Sequence, residues 1–170
     1  MADALREENL MRLRLWGPLA PLGLALAALV FGLDQNHKWW MLHVYAIESR
    51  QPVAVTSFFD LVLTWNRGIS YGLLKTDLQG LLIAVSLALC ALLWVWLSRS
   101  RSALNAAGLA VVLGGALSNA LDRAVYGAVA DFFHFHWGSF SWYIFNLADV
   151  AIVAGVALLL YESAFVRQAR

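Results

Sequence analysis

Residues 78–97 read LQGLLIAVSLALCALLWVWL, a run of twenty residues without a single charged side chain. About 20 consecutive, mostly apolar residues form a helix long enough to cross the hydrocarbon core of a bilayer. This stretch therefore predicts a transmembrane helix and indicates that the chain is a membrane protein.

Three other stretches resemble it: residues 15–33, 103–121 and 144–161. The first is longer than the apolar region of a signal peptide, about 7–15 residues, and is followed by Asp34 and Lys38 rather than by a small-residue cleavage site. The 103–121 stretch is rich in glycine and alanine, which lets helices approach closely in lipid. The pattern predicts an all-α membrane protein with four transmembrane helices, forming a single domain over residues 1–170.

The composition agrees with this class of protein. Hydrophobic residues make up 61% of the 170 residues and charged residues 14%, whereas a soluble domain has about half and about a quarter. The formal net charge of +1 excludes nucleic acid as a main partner, because little positive charge is left for a phosphate backbone. A single cysteine, Cys90, rules out an internal disulfide.

Basic residues near the ends of the helices predict the orientation in the membrane. Arg99 and Arg101 lie in the short connection between the second and third predicted helices. More basic residues lie near the two ends of the chain: Arg6, Arg12, Arg14, Arg167 and Arg170. Since cytoplasmic segments carry an excess of Lys and Arg, we expect both termini to be cytoplasmic.

The segment between the first and second helices has a different pattern. Before the turn 66–68 (NRG), apolar residues recur at every second position in two stretches: Val53 and Val55, then Phe59, Leu61, Leu63 and Trp65. A period of two is typical of a strand. We therefore expect a small extracytoplasmic β-sheet here, with residues 39–77 covering the outward end of the helices. Tryptophans that fit a membrane interface flank these regions: Trp39, Trp40, Trp137 and Trp142.

Polar residues are concentrated at the outward ends of the predicted helices: Asp34, Lys38, Asn119, Asp122, Arg123, Asn146 and Asp149. A charged residue at the centre of a membrane helix costs about 2.5–3.5 kcal/mol on insertion scales, so such residues need a reason. Asp131, in the last connection, can converge with Asp149 above the helices. Seven polar residues on one side of the membrane predict a functional site there.

Each of these residues also has a simpler explanation. Asp34 and Lys38, four positions apart, form an ordinary helix-end ion pair in many proteins. Asp122 and Arg123 suit a solvated helix end, and Asn146 or Asp149 suits an N-cap. Their concentration at one face argues against these explanations taken together, because independent caps and ion pairs would be spread over both ends.

Three kinds of chemistry are compatible with such a site in principle. A serine peptidase would pair Ser118 with His134 or His136, but these residues form no recognisable triad. A zinc site would need a motif such as His-Glu-x-x-His, which is missing. A pair of carboxylates fits better, because two that share one proton can activate water and donate a hydrogen bond to a carbonyl.

Five segments together resemble the ordered motifs of the lipoprotein signal peptidases (signal peptidase II): residues 34–38 (DQNHK), 66–68 (NRG), 114–123 (GGALSNALDR), 127–132 (GAVADF) and 145–149 (FNLAD). The resemblance covers nearly the whole chain. It implies an aspartic endopeptidase of the bacterial inner membrane that cleaves prolipoproteins before a diacylglyceryl-modified cysteine. It also implies a membrane lipid environment, no cofactor or metal, an active site at the extracytoplasmic face, and inhibition by globomycin.

The resemblance assigns roles to individual residues as well. It implies that Asp131 and Asp149 are the catalytic pair. The residues that it implies for substrate binding or support are Asp34, Lys38, Asn66, Gly68, Asn119, Asp122, Arg123 and Asn146. The chain departs from the family pattern at Ser118, where a glycine is usual, at residues 69–71 (ISY), and at Tyr143, where a proline is common.

The alternative function is that of a small transporter or structural membrane protein with polar helix ends. A transporter would spread carboxylates through the depth of the bundle to form an ion path. The sequence instead places them near one face, which favours an active site at the membrane surface.

Overall fold

A computed structural model describes residues 15–68 and 79–166, which contain four long helices. These are α1 (Ala20–Trp39), α2 (Gln79–Arg99), α3 (Ala103–Tyr126) and α4 (Leu147–Tyr161). The α1 and α3 helices end five or six residues later than the hydropathy predicted. As a result Asp34, Lys38, Asp122 and Arg123 lie within the last turns of helices rather than beyond them.

Helix α3 lies at the centre of the bundle and packs against the other three helices. Over half of its apolar stretch (56%) is buried, against 11% for α2 and for α4. Close approach explains two of its glycines: a Cβ at Gly114 would lie 2.5 Å from the Ala27 carbonyl oxygen, and one at Gly115 would lie 2.6 Å from that of Ala148. Small residues therefore bring α1 and α4 into backbone contact with α3.

Three helices in the described part of the chain are long and apolar enough to cross a membrane: Gln79–Arg99, Ala103–Tyr126 and Leu147–Phe165. Helix α1 is 20 residues long, but its last turns carry Asp34 and Lys38, which lower its average hydropathy. The structure thus supports a helical membrane protein, and a fourth span by α1 stays a prediction.

The sheet has four antiparallel strands in the order β1 (Val53–Thr56), β2 (Phe59–Asn66), β3 (Val129–Trp137) and β4 (Phe140–Ser141). Strands β1 and β2 lie where the alternating pattern predicted them. The prediction that the sheet lies between the first and second helices was incomplete, because β3 and β4 come from the connection between α3 and α4. Residues 129–132 of β3 are all buried, so this half of the strand shows no alternation.

Three backbone hydrogen bonds hold β3 against the residue that lies just before α4. The backbone N–H groups of Phe132 and Phe133 donate to the Phe145 carbonyl oxygen, and the Phe145 N–H donates to that of Phe133. On its other side β3 pairs with β2, so that Asp131 lies opposite Thr64. This pairing places Asp131 beside the first turn of α4.

The chain turns sharply where α3 ends. Gly127 has a φ of +68°, a left-handed conformation that glycine adopts without strain, and its N–H donates to the Arg123 carbonyl oxygen. Strand β3 begins two residues later. The end of α3, the start of β3 and the start of α4 therefore meet at the same end of the bundle.

Candidate functional site

Asn146 connects the two carboxylates that the sequence singled out. It is the N-cap of α4, as one of the simpler explanations predicted: its Oδ1 accepts from the Asp149 N–H, and its own N–H donates to Asp149 Oδ2. Its side-chain Nδ2 donates to Asp131 Oδ1 at 2.7 Å. The cap therefore has a second effect, which is to link Asp131 to Asp149.

Asp131 is buried on β3, with only 1% of its surface exposed. Its second oxygen, Oδ2, accepts from Asn66 Nδ2 at 3.1 Å. Burial and, after it, the nearby charge of Asp149 raise the pKa of Asp131 to about 7, although the amides of Asn66 and Asn146 oppose the shift. Asp131 is thus a carboxyl that can hold a proton near neutral pH.

Asp149 lies in the first turn of α4 and is partly exposed. Its Oδ1 accepts from Asn119 Nδ2 on α3 at 2.9 Å, and its Oδ2 accepts from the Asn146 N–H at 3.2 Å. Both oxygens of each carboxylate therefore receive a hydrogen bond, which fixes the orientation of the pair.

Lys38 lies at the centre of a buried charged cluster behind the two carboxylates. Its Nζ is 2.7 Å from Asp34 Oδ2, 2.7 Å from Asp122 Oδ2 and 3.0 Å from Asn119 Oδ1. Lys38, Asp34 and Asp122 are 2%, 1% and 1% exposed. The ion pair that the sequence suggested between Asp34 and Lys38 is therefore present but buried, and the solvated helix end considered for Asp122 is wrong.

Backbone groups complete the cluster. The Ala148 N–H donates to Asp34 Oδ1 at 2.9 Å, and the Ala130 N–H donates to Asp122 Oδ2 at 3.2 Å. The cluster thus joins α1 and α3 to the starts of α4 and β3. Its carboxylates position the same two elements that carry Asp149 and Asp131.

Two members of the cluster were not among the predicted site residues. Ser118 is fully buried, and its hydroxyl donates to Asp34 Oδ2 at 2.6 Å. Gln35 Nε2 lies 2.8 Å from Ser118 Oγ and 2.8 Å from Asp122 Oδ1. The serine that departs from the family pattern therefore adds a hydrogen bond to the cluster. Gln35 lies within the 34–38 motif. Its place beside Asp34 in the sequence did not indicate that its side chain would point into the cluster.

Arg123 points away from the cluster, although Asp122 is its neighbour in the chain. Its Nη2 donates to the Gly68 carbonyl oxygen at 3.1 Å, and its Nη1 donates to that of Asn119 at 3.3 Å. Its Nε is buried and has no hydrogen-bond partner among the described residues. Gly68 is held in turn by Asn66, whose Oδ1 accepts the Gly68 N–H. The guanidinium is therefore held between the carbonyl groups of Gly68 and Asn119.

The two carboxylates border a cavity of about 460 Å³. Its polar border consists of Asn66, Gly68, Ser86, Asn119, Arg123, Asp131 and Asp149. Its apolar wall comes from α2, α3 and α4 and includes Leu89, Leu93, Val112, Ala116 and Ile152, which the sequence did not single out. A smaller groove of about 300 Å³ also includes Asp149, and aromatic residues of the preceding loop line it. The cavity can thus hold a ligand with polar and apolar parts.

The structure does not place His134 or His136 in the site. His134 Nε2 lies 2.7 Å from Ser141 Oγ, and His136 Nε2 lies 3.0 Å from Asp60 Oδ2, on the sheet away from the cavity. The Ser118 hydroxyl contacts Asp34 and Gln35 instead of a histidine. A serine peptidase built on Ser118 is therefore excluded. Within residues 15–68 and 79–166, no group of three or more His, Cys, Asp or Glu is arranged to hold a metal ion.

The segment 39–77, predicted to cover the outward end of the helices, lies partly outside the described residues. Residues 69–71, which depart from the family pattern, and the rest of the segment up to residue 78 lie outside the described residues. From the 39–77 segment, Asn66 and Gly68 reach the cavity. Tyr143, the remaining departure, borders the smaller groove.

Residues 26–165 match the family model described as Signal peptidase (SPase) II. The chain is 56% identical to a lipoprotein signal peptidase of Methylocella silvestris, over 85% of this chain and 86% of the relative. It is 50% identical to a lipoprotein signal peptidase of Beijerinckia indica, over 84% and 87%.

A solved structure is also similar. It is described as a bacterial membrane enzyme determined by the in meso method at 2.3 Å resolution. It matches with a TM-score of 0.72 over 85% of this chain and 90% of that chain, at 22% identity. At this identity the similarity supports the fold alone.

Proposed function

Because the chain belongs to the signal peptidase II family, we infer that it is an aspartic peptidase that removes the signal peptides of prolipoproteins. We further propose that Asp131 and Asp149 are its catalytic pair. The observation that carries this proposal is that Asn146 donates hydrogen bonds to both carboxylates, and that both lie at the border of the cavity. The alternative of a transporter finds no support in the family.

The proposed chemistry needs one proton shared by the two carboxyl groups. One carboxylate takes a proton from water while the water oxygen attacks the scissile carbonyl carbon. The other carboxyl group donates its proton to the carbonyl oxygen. The surrounding hydrogen bonds hold both groups in place beforehand, so little reorganisation is needed during the reaction.

The cavity supports a substrate with an apolar portion. We propose that the substrate is a prolipoprotein whose cysteine carries a diacylglyceryl group, cleaved just before that cysteine. The leucine, valine and isoleucine side chains of α2, α3 and α4 provide an apolar wall beside the carboxylates. The guanidinium of Arg123 borders the cavity, so its N–H groups can donate to a substrate carbonyl. We also propose that the remaining polar residues at the site support substrate binding and that globomycin inhibits the enzyme.

We propose that all four helices cross the bacterial inner membrane, with the site at the extracytoplasmic face and both termini cytoplasmic. Exposed tryptophans near the sheet, Trp39, Trp40, Trp137 and Trp142, suit an interface at that end of the bundle. Arg99 ends α2 and Arg101 lies in the connection to α3, at the other end of the bundle. The positive-inside rule assigns that end to the cytoplasm.

The proposed function is tested by cleavage of a purified prolipoprotein with the purified protein in detergent. We expect the diacylglyceryl-modified substrate to be cleaved before its modified cysteine, and the same chain without the lipid to be cleaved poorly. Because no metal-ligand set borders the cavity in the described residues, activity should be unchanged in EDTA. Equal cleavage of both substrates, or activity lost in EDTA and restored by zinc, would contradict the proposal.

The orientation is tested with single cysteines on a background in which Cys90 is replaced by alanine. Ser57 and Ser139 are exposed on the sheet side, and Arg101 is exposed at the opposite end. In intact spheroplasts, a membrane-impermeant thiol reagent should label cysteines at positions 57 and 139 but not at position 101. After the membranes are opened, all three should be labelled. Labelling of position 101 alone in intact spheroplasts would invert the topology.

A further inference from the structure

Lys38 determines the orientation of the Asn119 amide. An ammonium group has only donors, so the atom of Asn119 that faces it must be the oxygen. The Asn119 Oδ1 lies 3.0 Å from Lys38 Nζ, and this leaves the Nδ2 group to face Asp149 Oδ1 at 2.9 Å. Lys38 does not touch the catalytic pair in this arrangement, yet it fixes a hydrogen-bond donor on Asp149.

The surroundings of Asp149 favour a negative charge. Its second oxygen accepts a backbone N–H at the N-terminus of α4, where the helix dipole stabilises an anion. Its side chain is also the more exposed of the two carboxylates. The helix dipole and the greater exposure therefore favour the charged form of Asp149 over that of Asp131.

The surroundings of Asp131 are different. It lies on a strand, is 1% exposed, and in the hydrogen bonds of the described residues its two oxygens accept from side-chain amides, those of Asn66 and Asn146. Burial without a helix terminus favours the neutral form. The raised pKa of Asp131 agrees with this difference.

We propose that Lys38 acts through Asn119 as a positioning residue and holds the negative charge of the resting pair on Asp149, so that the shared proton lies on Asp131. The proposal rests on the proposed function of the pair. The other charged groups near the pair are Asp34 on α1, with Asp122 and Arg123 on α3. Together with Lys38 their formal charges cancel, so they leave the pair with its own single negative charge.

The reaction then has a defined direction. The Asp149 carboxylate takes a proton from water as the water oxygen bonds to the scissile carbonyl carbon, and Asp131 gives its proton to the carbonyl oxygen. When the resulting diol collapses, the C–N bond breaks and Asp149 gives its proton to the leaving nitrogen. A diol hydroxyl returns its proton to Asp131, so the resting state is restored without any other reactant.

A matched pair of variants tests where the proton lies, since Asn119 donates to Asp149 and Asn66 donates to Asp131. The measurement is the pH profile of kcat/KM with a purified diacylglyceryl-modified prolipoprotein. Asn119→Leu should move the acidic limb to higher pH by about one unit, because the base loses a donor that stabilises its charged form. Asn66→Leu should move the alkaline limb to higher pH and leave the acidic limb in place.

Two further variants complete the test. Asn105→Leu, on α3 near its other end, should change neither limb. The combined change Asp34→Asn with Lys38→Met removes one charge of each sign and the Lys38 donor to Asn119, so it should move the acidic limb as Asn119→Leu does. An unmoved acidic limb in that folded double variant would remove the role of Lys38.

The opposite result would be that Asn119→Leu moves the alkaline limb and Asn66→Leu moves the acidic limb. It would place the proton on Asp149 and overturn the proposal. The proposal would also be overturned if neither limb moved, or if both limbs moved together in both variants. These outcomes leave the proposed catalytic pair intact. That pair fails only if replacing Asp131 or Asp149 spares activity.

Discussion

Asp131→Asn and Asp149→Asn are each expected to reduce cleavage by roughly 10⁴-fold, the upper end of what acid-base catalysis contributes. An amide has nearly the same shape as a carboxyl group but can neither take the proton of water nor give one to a carbonyl. Release of the signal peptide from a lipidated prolipoprotein measures the loss. The thermal unfolding of each variant in detergent should stay close to that of the original protein.

A matched control for this experiment is Asp60→Asn. Asp60 is also a carboxylate on the sheet, but it lies beside His134 and His136 and does not border the cavity. Its replacement should leave cleavage within about twofold of the original, because a surface substitution away from the site disturbs little. Near-original turnover in either the Asp131 or the Asp149 variant would exclude that carboxyl from the reaction.

Lys38→Met is expected to destabilise the protein more than any surface substitution, by about 3–5 kcal/mol. Lys38 has the buried carboxylates of Asp34 and Asp122 each within 2.7 Å, and without it they face each other unneutralised. Thermal unfolding in detergent should then begin about 10 °C lower.

The same measurement separates charge from packing. Adding Asp34→Asn to Lys38→Met removes one of the unpaired carboxylates and should recover part of the lost thermal stability. If Lys38→Met alone unfolds at the original temperature, the cluster is solvated and the buried arrangement is wrong. If the second substitution lowers stability further, lost packing rather than unpaired charge explains the effect.

The charged residues of the site could be predicted from the sequence, because each lies where a charge is costly. Asp34, Lys38, Asp122 and Asp149 end or begin long apolar stretches, where hydropathy alone marks them as unusual. The burial and the partners of these side chains could not be predicted. The ion pair predicted for a helix end proved to be buried, since its environment depends on α3 and α4, which are distant in the chain.

Two residues that are adjacent in the sequence also show why side-chain partners could not be predicted. Asp122 and Arg123 look like one charged helix end, but successive residues of a helix point about 100° apart. Asp122 accordingly contacts Lys38 inside the bundle, while Arg123 reaches Gly68 across the cavity. Adjacency in the chain therefore grouped two side chains that have different surroundings.

The sequence by itself determined the membrane class, the approximate places of the four helices, strand β2 and the polar residues that gather at one end. These properties follow from local signals, namely the length of apolar runs and the period of alternation. Only the tertiary structure decided that β3 joins the sheet, because its first four residues are buried and carry no alternation. It also decided the direction of each amide at the site, because an asparagine side chain orients according to partners from other elements. Asn119 faces Lys38 with its oxygen and Asp149 with its nitrogen because α1, α3 and α4 pack together.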